Sequence, residues 1–427
     1  MDQAFHSRGL AKSYGSRRVQ FTWAGAGTPL SYWLLILCVI LLYSNAALLV
    51  PELEAFQPAQ TVAMAGLLAL FVERTLSRQG FDLVWPESHL ILAFLGAAVL
   101  SSLTALWPQY AVEAAINLAK FVAIYFLIVN AVDTRQRLRR IIWVMVLGGL
   151  FPAIGAINNY LNGVFLEGGR IGWVGIFANP NELAYSLVIL LPPALFLSSK
   201  GAVYTRVAAG AIMGLYVTGI FISFSRGAML AFFTVALLMG LRQAGRSARI
   251  ATIVLLAAGA VFVGSFWSRE EGFTDLSGDA TFHQRFATVQ AGLAMFADRP
   301  LLGVGLNCSI LGWPLYAPPG AFSHGWLHNH NTLVQVLSET GLLGFIPFVL
   351  LLGSAIYASH KARLSHRQSS VDESARLLTG LEISLWGFIV CGLSGGYALS
   401  WFPYLLVALV SASKKIRATD AVESGDS

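Results

Sequence analysis

Charge is scarce in this chain. Only 12% of its 427 residues are Asp, Glu, Lys or Arg, against about a quarter in soluble globular proteins. That scarcity, set beside 56% hydrophobic residues, excludes a soluble enzyme with a charged surface. Cysteine is nearly missing: Cys38, Cys308 and Cys391 stand far apart, with no CxxC pair. A disulfide framework is thereby excluded. No Gly-x4-Gly-Lys-Ser/Thr segment occurs, so the chain lacks the phosphate cradle of an ATP-driven machine. No long-period repeat is visible, which removes the sequence signature of an inverted-repeat transporter. The first 30 residues are polar and basic, with no apolar core or small-residue cleavage site before Ser31. No cleavable signal peptide is expected.

What the chain has in abundance is apolar runs near the length of about 20 residues that a bilayer core demands. Twelve transmembrane helices are expected, over 31–49, 59–75, 88–106, 111–130, 138–157, 181–198, 204–222, 227–241, 249–267, 332–358, 377–395 and 398–412. The fold class is an all-α integral membrane protein with one large, partly helical outer loop. Residues 1–30 form an inner segment, 31–267 carry helices one to nine, and 268–331 form the loop. Helices ten to twelve occupy 332–412, and 413–427 form an inner tail. Within the loop, Phe282, Phe286, Val289, Leu293 and Phe296 recur at helical spacing. A helix is expected there, either lying on the membrane surface with Arg285 beside a headgroup or packed on the protein with Arg285 solvated.

With this topology, 22 of the 28 Lys and Arg fall in loops on one face of the membrane. The positive-inside rule places that face, and both termini, in the cytoplasm. The pI near 9.3 therefore reports topology and contact with anionic membrane lipids, not nucleic acid. Lys120 lies inside a helix with polar Asn117 a turn away; a charge there is a functional candidate, and pairing with Glu339 or Glu382 is equally open. The remaining five basic residues are Arg170, Arg226, Arg269, Arg285 and Arg299, with no Lys among them. Arg grips phosphate bidentately through a planar fork, whereas Lys offers a point charge. These arginines are candidate ligands for a phosphorylated substrate handled outside the cytoplasm.

Three local patterns carry further chemistry. His324, His328 and His330 fall within seven residues just before the tenth helix. Such a group suits a metal site or a proton-transfer site, and a plain interfacial polar cluster is the bland alternative. Without clear metal spacing in the nearby acids, a base ranks above a metal. Arg226 sits in Ser223-Phe-Ser-Arg-Gly227, where the bland alternative is a snorkelling helix end. Arg170 precedes Phe177-Ala-Asn-Pro-Asn-Glu182, in which Asn179 suits a cap, Pro180 a first helical turn, and Asn181 and Glu182 a helix N-terminus.

Four segments then match a known family in its own order. They are Arg170 with Phe177-Ala-Asn-Pro-Asn181, Ser223-Phe-Ser-Arg-Gly227, Arg285 through Asp298-Arg-Pro-Leu-Leu-Gly-Val-Gly-Leu306, and His330-Asn331 followed by Glu339-Thr-Gly341-Leu-Leu-Gly344. The chain resembles the O-antigen ligase and O-antigen polymerase superfamily of bacterial envelope enzymes. The resemblance spans about residues 170–345. It implies a glycosyltransferase of the inner membrane with its active site facing the periplasm. The donor would be an undecaprenyl-diphosphate-linked O-antigen and the acceptor lipid A–core, with no metal, nucleotide or other cofactor. It makes His330 the general base and Arg226, Arg285 and Arg170 the diphosphate ligands. Asn331, Asn181, His328 and His324 are supporting residues. A polymerase, a protein-glycosylating relative and a transporter or flippase remain alternatives.

Overall fold

The computed structural model describes residues 29–166, 169–199, 201–242, 245–266, 280–321, 326–365 and 373–423. Helices α1 (Leu30–Ser44), α2 (Ala46–Leu49), α3 (Pro58–Leu76), α4 (Glu87–Ser101) and α5 (Pro108–Ala131) come first. Helices α6 (Arg135–Gly148) and α7 (Leu150–Leu161) make one bent span, as do α8 (Pro180–Val188) and α9 (Leu191–Ser198). Helices α10 (Val203–Ile222), α11 (Arg226–Arg242) and α12 (Arg246–Phe266) follow. The long loop holds α13 (Ala280–Asp298) and α14 (Ser309–Tyr316). Helices α15 (Thr332–Ser365), α16 (Glu373–Gly392) and α17 (Phe402–Glu423) close the chain.

Among the described residues there is no strand, only an isolated bridge between Leu166 and Arg170. Each of the twelve expected spans falls on helix. Among the described residues, seven spans are long and apolar enough to cross a membrane by length and composition, and α1 and α4 are shorter apolar helices. The chain is an all-α membrane protein. Its core is centred on α16 and α17: α16 packs on α8, α9, α11, α15 and α17, and Phe402 through Ala412 are buried without interruption.

Two spans bend for stated reasons. Pro192 and Pro193 cannot donate to the helix ladder, so the run expected over 181–198 breaks after Val188. The Ile189 carbonyl at the break accepts from the Ser384 hydroxyl of α16 at 2.6 Å. The span expected over 138–157 bends at Gly148-Gly149, where the Tyr216 hydroxyl donates to the Val146 carbonyl. In both places a side chain satisfies backbone that lipid could not. The last two spans also differ from expectation. Helix α16 stops at Gly392 and α17 begins only at Phe402, because the Ser394-Gly395-Gly396 turn leaves the bundle direction.

Helix α15 is interrupted at Gly341, which has φ 60° and ψ −163°. The segment 299–309 lies against the break and supplies the missing backbone partners. Val304 N donates to the Ser338 carbonyl at 2.9 Å and Gly305 N to the Glu339 carbonyl at 3.0 Å. In return, Leu342 N donates to Pro300 O at 2.9 Å and Leu343 N to Leu301 O at 3.2 Å. The two chains approach too closely for any Cβ: one on Gly341 would lie 2.3 Å from the Leu301 carbonyl carbon, and one on Gly303 2.5 Å from the Ser338 oxygen. The buried Glu339 carboxylate completes the clasp, accepting from Asn307 N at 2.9 Å and the Ser309 hydroxyl at 2.6 Å.

Helix α13 forms as the periodicity predicts, but with the opposite face packed. Ala287, Thr288, Ala291 and Met295 are buried, while Phe286 and Leu293 are 54% and 47% exposed. Small residues let α13 approach α15 closely, and Phe286 and Leu293 face outward, the arrangement a membrane-surface helix requires. Arg285 is half-buried, and its charge acts on His330.

Lys120 also corrects an expectation. Its ammonium donates to Asn117 Oδ1 at 3.0 Å, and neither proposed carboxylate is its partner. Glu339 is held in the clasp, and Glu382 pairs with Arg242 at 2.8 Å and Arg363 at 3.6 Å. The helix spacing i, i+3 gives Lys120 a local partner, whereas the carboxylates are already taken by residues from elsewhere in the chain. Residues assigned to the inner face form a second network, in which Lys414 reaches Glu87 at 2.9 Å and Arg74 and Lys415 reach Asp82 at 3.0 and 3.3 Å.

The clasp gives a sharp stability contrast. Gly341→Ala forces an alanine into left-handed backbone against the Leu301 carbonyl, and strain of this kind costs about 1–3 kcal/mol before any clash. It should lower the thermal midpoint of the purified protein by several degrees or prevent its recovery. A Cβ at Gly353 of the same helix meets nothing within 4 Å. Gly353→Ala should leave the midpoint unchanged or raise it slightly. Scanning fluorimetry of both variants in detergent checks this.

Candidate functional site

The site begins at the N-terminus of α8. Asn179 caps the helix, its Oδ1 accepting from Asn181 N at 2.9 Å, and Pro180 occupies the first helical position. That leaves the Asn181 side chain for other work. Its Oδ1 accepts from the Arg170 guanidinium at 2.7 Å and from the Ser225 hydroxyl at 2.8 Å. Arg170 Nε donates to the Ser223 carbonyl at 3.2 Å. Arg170 thus ties the 164–178 loop and α8 to the turn that starts α11.

In that turn Phe224 has φ 50°. The Ser223 hydroxyl oxygen accepts from Ser225 N at 3.2 Å, and the Ser225 hydroxyl oxygen from Ala228 N at 3.3 Å. The two serines shape and cap the helix start, which sets Arg226 as its first residue, half-buried. Gly227 is required for packing, because a Cβ there would fall 1.8 Å from the Ser394 hydroxyl.

From the other side, α13 presents Arg285 and, one turn on, Thr288. The Thr288 hydroxyl donates to the Arg285 carbonyl at 2.8 Å and accepts from His330 N at 3.4 Å. Residues 329–331 then step into α15 as successive caps. Asn329 Oδ1 accepts from Asn331 N at 3.2 Å, and Asn331 Oδ1 from Leu333 N at 3.0 Å and Val334 N at 3.1 Å. Asn331 is therefore a helix cap that fixes the backbone carrying His330. The 393–401 loop is sewn onto the same turn. The Thr332 hydroxyl donates to Gly395 O at 2.7 Å and accepts from Tyr397 N at 2.9 Å, while Gln335 Oε1 accepts from Ala398 N at 3.3 Å.

These elements enclose a cavity of about 340 Å³. Asn179, Asn181 and Glu182 line it from α8, and Asn307 and Ser309 from the segment held by Glu339. His328, Asn329, His330 and Gln335 line it from the start of α15, and Tyr397 and Ser400 from the last loop. Burial, with Arg285 and then His328 adding to it, lowers His330 to about 4. The imidazole is therefore neutral above that pH and has a nitrogen lone pair to accept a proton. Burial also lowers His328. Tyr397 is raised, chiefly by burial, and both Arg285 and Arg170 pull its hydroxyl the other way. Two arginines 115 positions apart in the chain thus act on one point beside His330. Cys308 is buried, and burial pushes its thiol up to about 11, which removes it as a nucleophile.

Asn181, His328 and His330 line this cavity; Arg170 is bonded to Asn181, the charge of Arg285 acts on His330, and Arg226 follows directly on Ser225, which is bonded to Asn181. Arg299 does not join them. It pairs with Asp298 at 3.6 Å, donates to the Thr104 carbonyl, and borders an apolar groove with Leu301 and Leu302. Arg269 and His324 lie outside the described residues. Among the described residues no three His, Cys, Asp or Glu side chains are grouped to hold a metal.

Sequence reasoning did not single out Asn307, Ser309, Gln335, Tyr397 or Ser400, and it read Glu182 only as a helix-start residue. One signal was present: Gly395-Gly396 inside an apolar run marks a loop. Nothing in the sequence showed that this loop crosses to the histidines.

Residues 208–349 match the family model of the O-antigen ligases. The match runs from α10 into α15 and contains Arg226, Arg285, His328, His330 and Asn331, while Arg170, Asn181 and Glu182 precede it. No curated protein matches the chain.

The electrostatics can be read directly by nuclear magnetic resonance titration of histidine-labelled protein. His330 should titrate near 4, well below the ordinary value. Arg285→Gln removes a neighbouring positive charge that disfavours the imidazolium, so His330 should titrate higher in that variant.

Proposed function

We propose that this protein is a glycosyltransferase of the O-antigen ligase type, joining a glycan from undecaprenyl diphosphate to lipid A–core. What supports the reading is a polar cavity lined by a neutral His330, with Arg285 acting on that imidazole and Arg170 bonded to the lining residue Asn181. The family match over 208–349 supports the same activity. The arginine-bearing loops lie opposite the basic loops, so the positive-inside rule puts the cavity on the periplasmic side of the bacterial inner membrane.

In this reading the acceptor hydroxyl gives its proton to His330. Its oxygen attacks the anomeric carbon as the bond from that carbon to the diphosphate oxygen breaks. The diphosphate leaves with the bonding pair. Negative charge grows on it during the displacement, so Arg285 and Arg226 stabilise the transition state more than the bound donor. Arg170 holds Asn181 and the turn before Arg226, and so positions the second arginine. A single displacement of this kind inverts the anomeric centre. The donor is already activated, and neither ATP nor metal is needed. Bound diphosphate also offsets the charge of Arg285, which raises the basicity of His330 when the donor is present.

Purified protein mixed with polyprenyl-diphosphate glycan and lipid A–core, in the presence of chelator, tests this. Chelator-resistant transfer to lipid A–core is expected, with His330→Ala lowering kcat/KM by about 10²–10⁴-fold, the usual share of a general base. Elongation of the lipid-linked glycan would instead make the protein a polymerase, and transfer to neither acceptor would overturn the reading. Arg285→Lys keeps the charge but loses the fork, and should lose most of the activity. The active form of His330 is the neutral one. Activity should therefore hold as pH falls toward 5 and decline as it approaches about 4. The limb in kcat should lie at higher pH than the limb in kcat/KM, because donor raises the basicity of His330.

A further inference from the structure

Glu182 is the one carboxylate among the residues lining the cavity, and the proposed reaction leaves it unused. It stands at the third position of α8, where a glutamate commonly reaches back to the amide of the capping residue. Here Asn179 caps the helix through its own side chain. Glu182 makes no hydrogen bond or ion pair among the described residues, although its side chain is half-buried. A carboxylate in such a place costs free energy unless a ligand supplies donors.

The chemistry of that ligand follows. Burial raises the Glu182 carboxyl to about 7; above that pH it is a carboxylate that only accepts hydrogen bonds, so the ligand must bring O–H or N–H groups. A diphosphate brings neither and is repelled by the like charge. The surrounding wall is neutral and hydrogen-bonding, from Ser309, Gln335, Tyr397 and Ser400. Glu182 is thus an unmatched acceptor in a wall that also carries the imidazole of His330.

We infer that Glu182 receives the acceptor sugar, accepting hydrogen bonds from hydroxyls that neighbour the reacting one. The inference rests on the glycosyl-transfer reading of the cavity. It divides the site by charge: the arginines select the donor's diphosphate, and Glu182 selects a neutral polyhydroxyl sugar at the acceptor end. A sugar carrying phosphate or carboxylate next to its reacting hydroxyl is rejected.

The test uses full-length protein in detergent, wild type and Glu182→Gln, with two probes. One is a deacylated lipopolysaccharide-core oligosaccharide and the other is undecaprenyl diphosphate without glycan. Binding is measured by calorimetry and transfer by steady-state kinetics. The expected result is an acceptor Kd and KM raised about tenfold, the size of one lost charge-assisted hydrogen bond. Undecaprenyl diphosphate binding and kcat at saturating acceptor should change little. Glu182→Asp, which keeps the charge, should recover part of the acceptor affinity. Unchanged oligosaccharide binding in Glu182→Gln would overturn the inference, as would a fall in kcat with KM intact. Failure of the underlying reading looks different: wild-type protein binds oligosaccharide through Glu182 but transfers no glycan. Wild-type protein that binds undecaprenyl diphosphate and no oligosaccharide sinks the role of Glu182 alone.

Discussion

The site depends on a broken helix. Helix α15 loses its regular hydrogen bonding at Gly341, and within a membrane protein that loss is tolerated only where other protein groups replace the partners. The 299–309 segment replaces them, through four backbone hydrogen bonds between residues 300–305 and 338–343. Once that segment is fixed, Glu339 draws in Asn307 and Ser309, which form one wall of the cavity. Helix α13 leads directly into the segment and packs on α15 through small side chains. Arg285 and Thr288 are thereby set beside His330. The glycines at 303 and 341 are thus structural conditions for the chemistry, although neither touches the cavity.

A second constraint is the use of side chains as substitutes for regular backbone structure. Asn179, Asn329, Asn331, Ser223 and Ser225 each satisfy an amide at a helix start or turn. Helix starts cluster at this end of the bundle, so their caps cluster too, and the result is a cavity lined by amides and hydroxyls. Polar density at a membrane surface has two uses here. It completes the helices, and what remains unmatched is available to a ligand. Asn181 shows the division: its backbone amide serves the cap, and its side chain holds Arg170 and Ser225.

The electrostatics follow from the same placement. Burying His330 beside Arg285 keeps the imidazole neutral. In the proposed reaction this weakens it as a base until an anionic donor offsets the charge of Arg285. Under that proposal, proton transfer is coupled to occupancy by the charged substrate.

Hydropathy was enough to give the fold class and the helical loop segment over 282–296. These are local signals: apolar length and 3.6-residue periodicity are readable one segment at a time. The motif around His330 and its spacing to Gly341 were legible for the same reason. What the sequence left open depends on which segments meet. It did not decide between the two placements of α13 or between Asn117 and the carboxylates for Lys120, and it did not reveal that Arg299 stays apart from the other arginines. It did not show that the 393–401 loop closes over the histidines, or that Glu182 faces them. Each of these outcomes is a contact between residues distant in the chain, or a choice between two partners of equal chemical merit. Periodicity and composition are blind to such choices, and only packing of the complete bundle makes them.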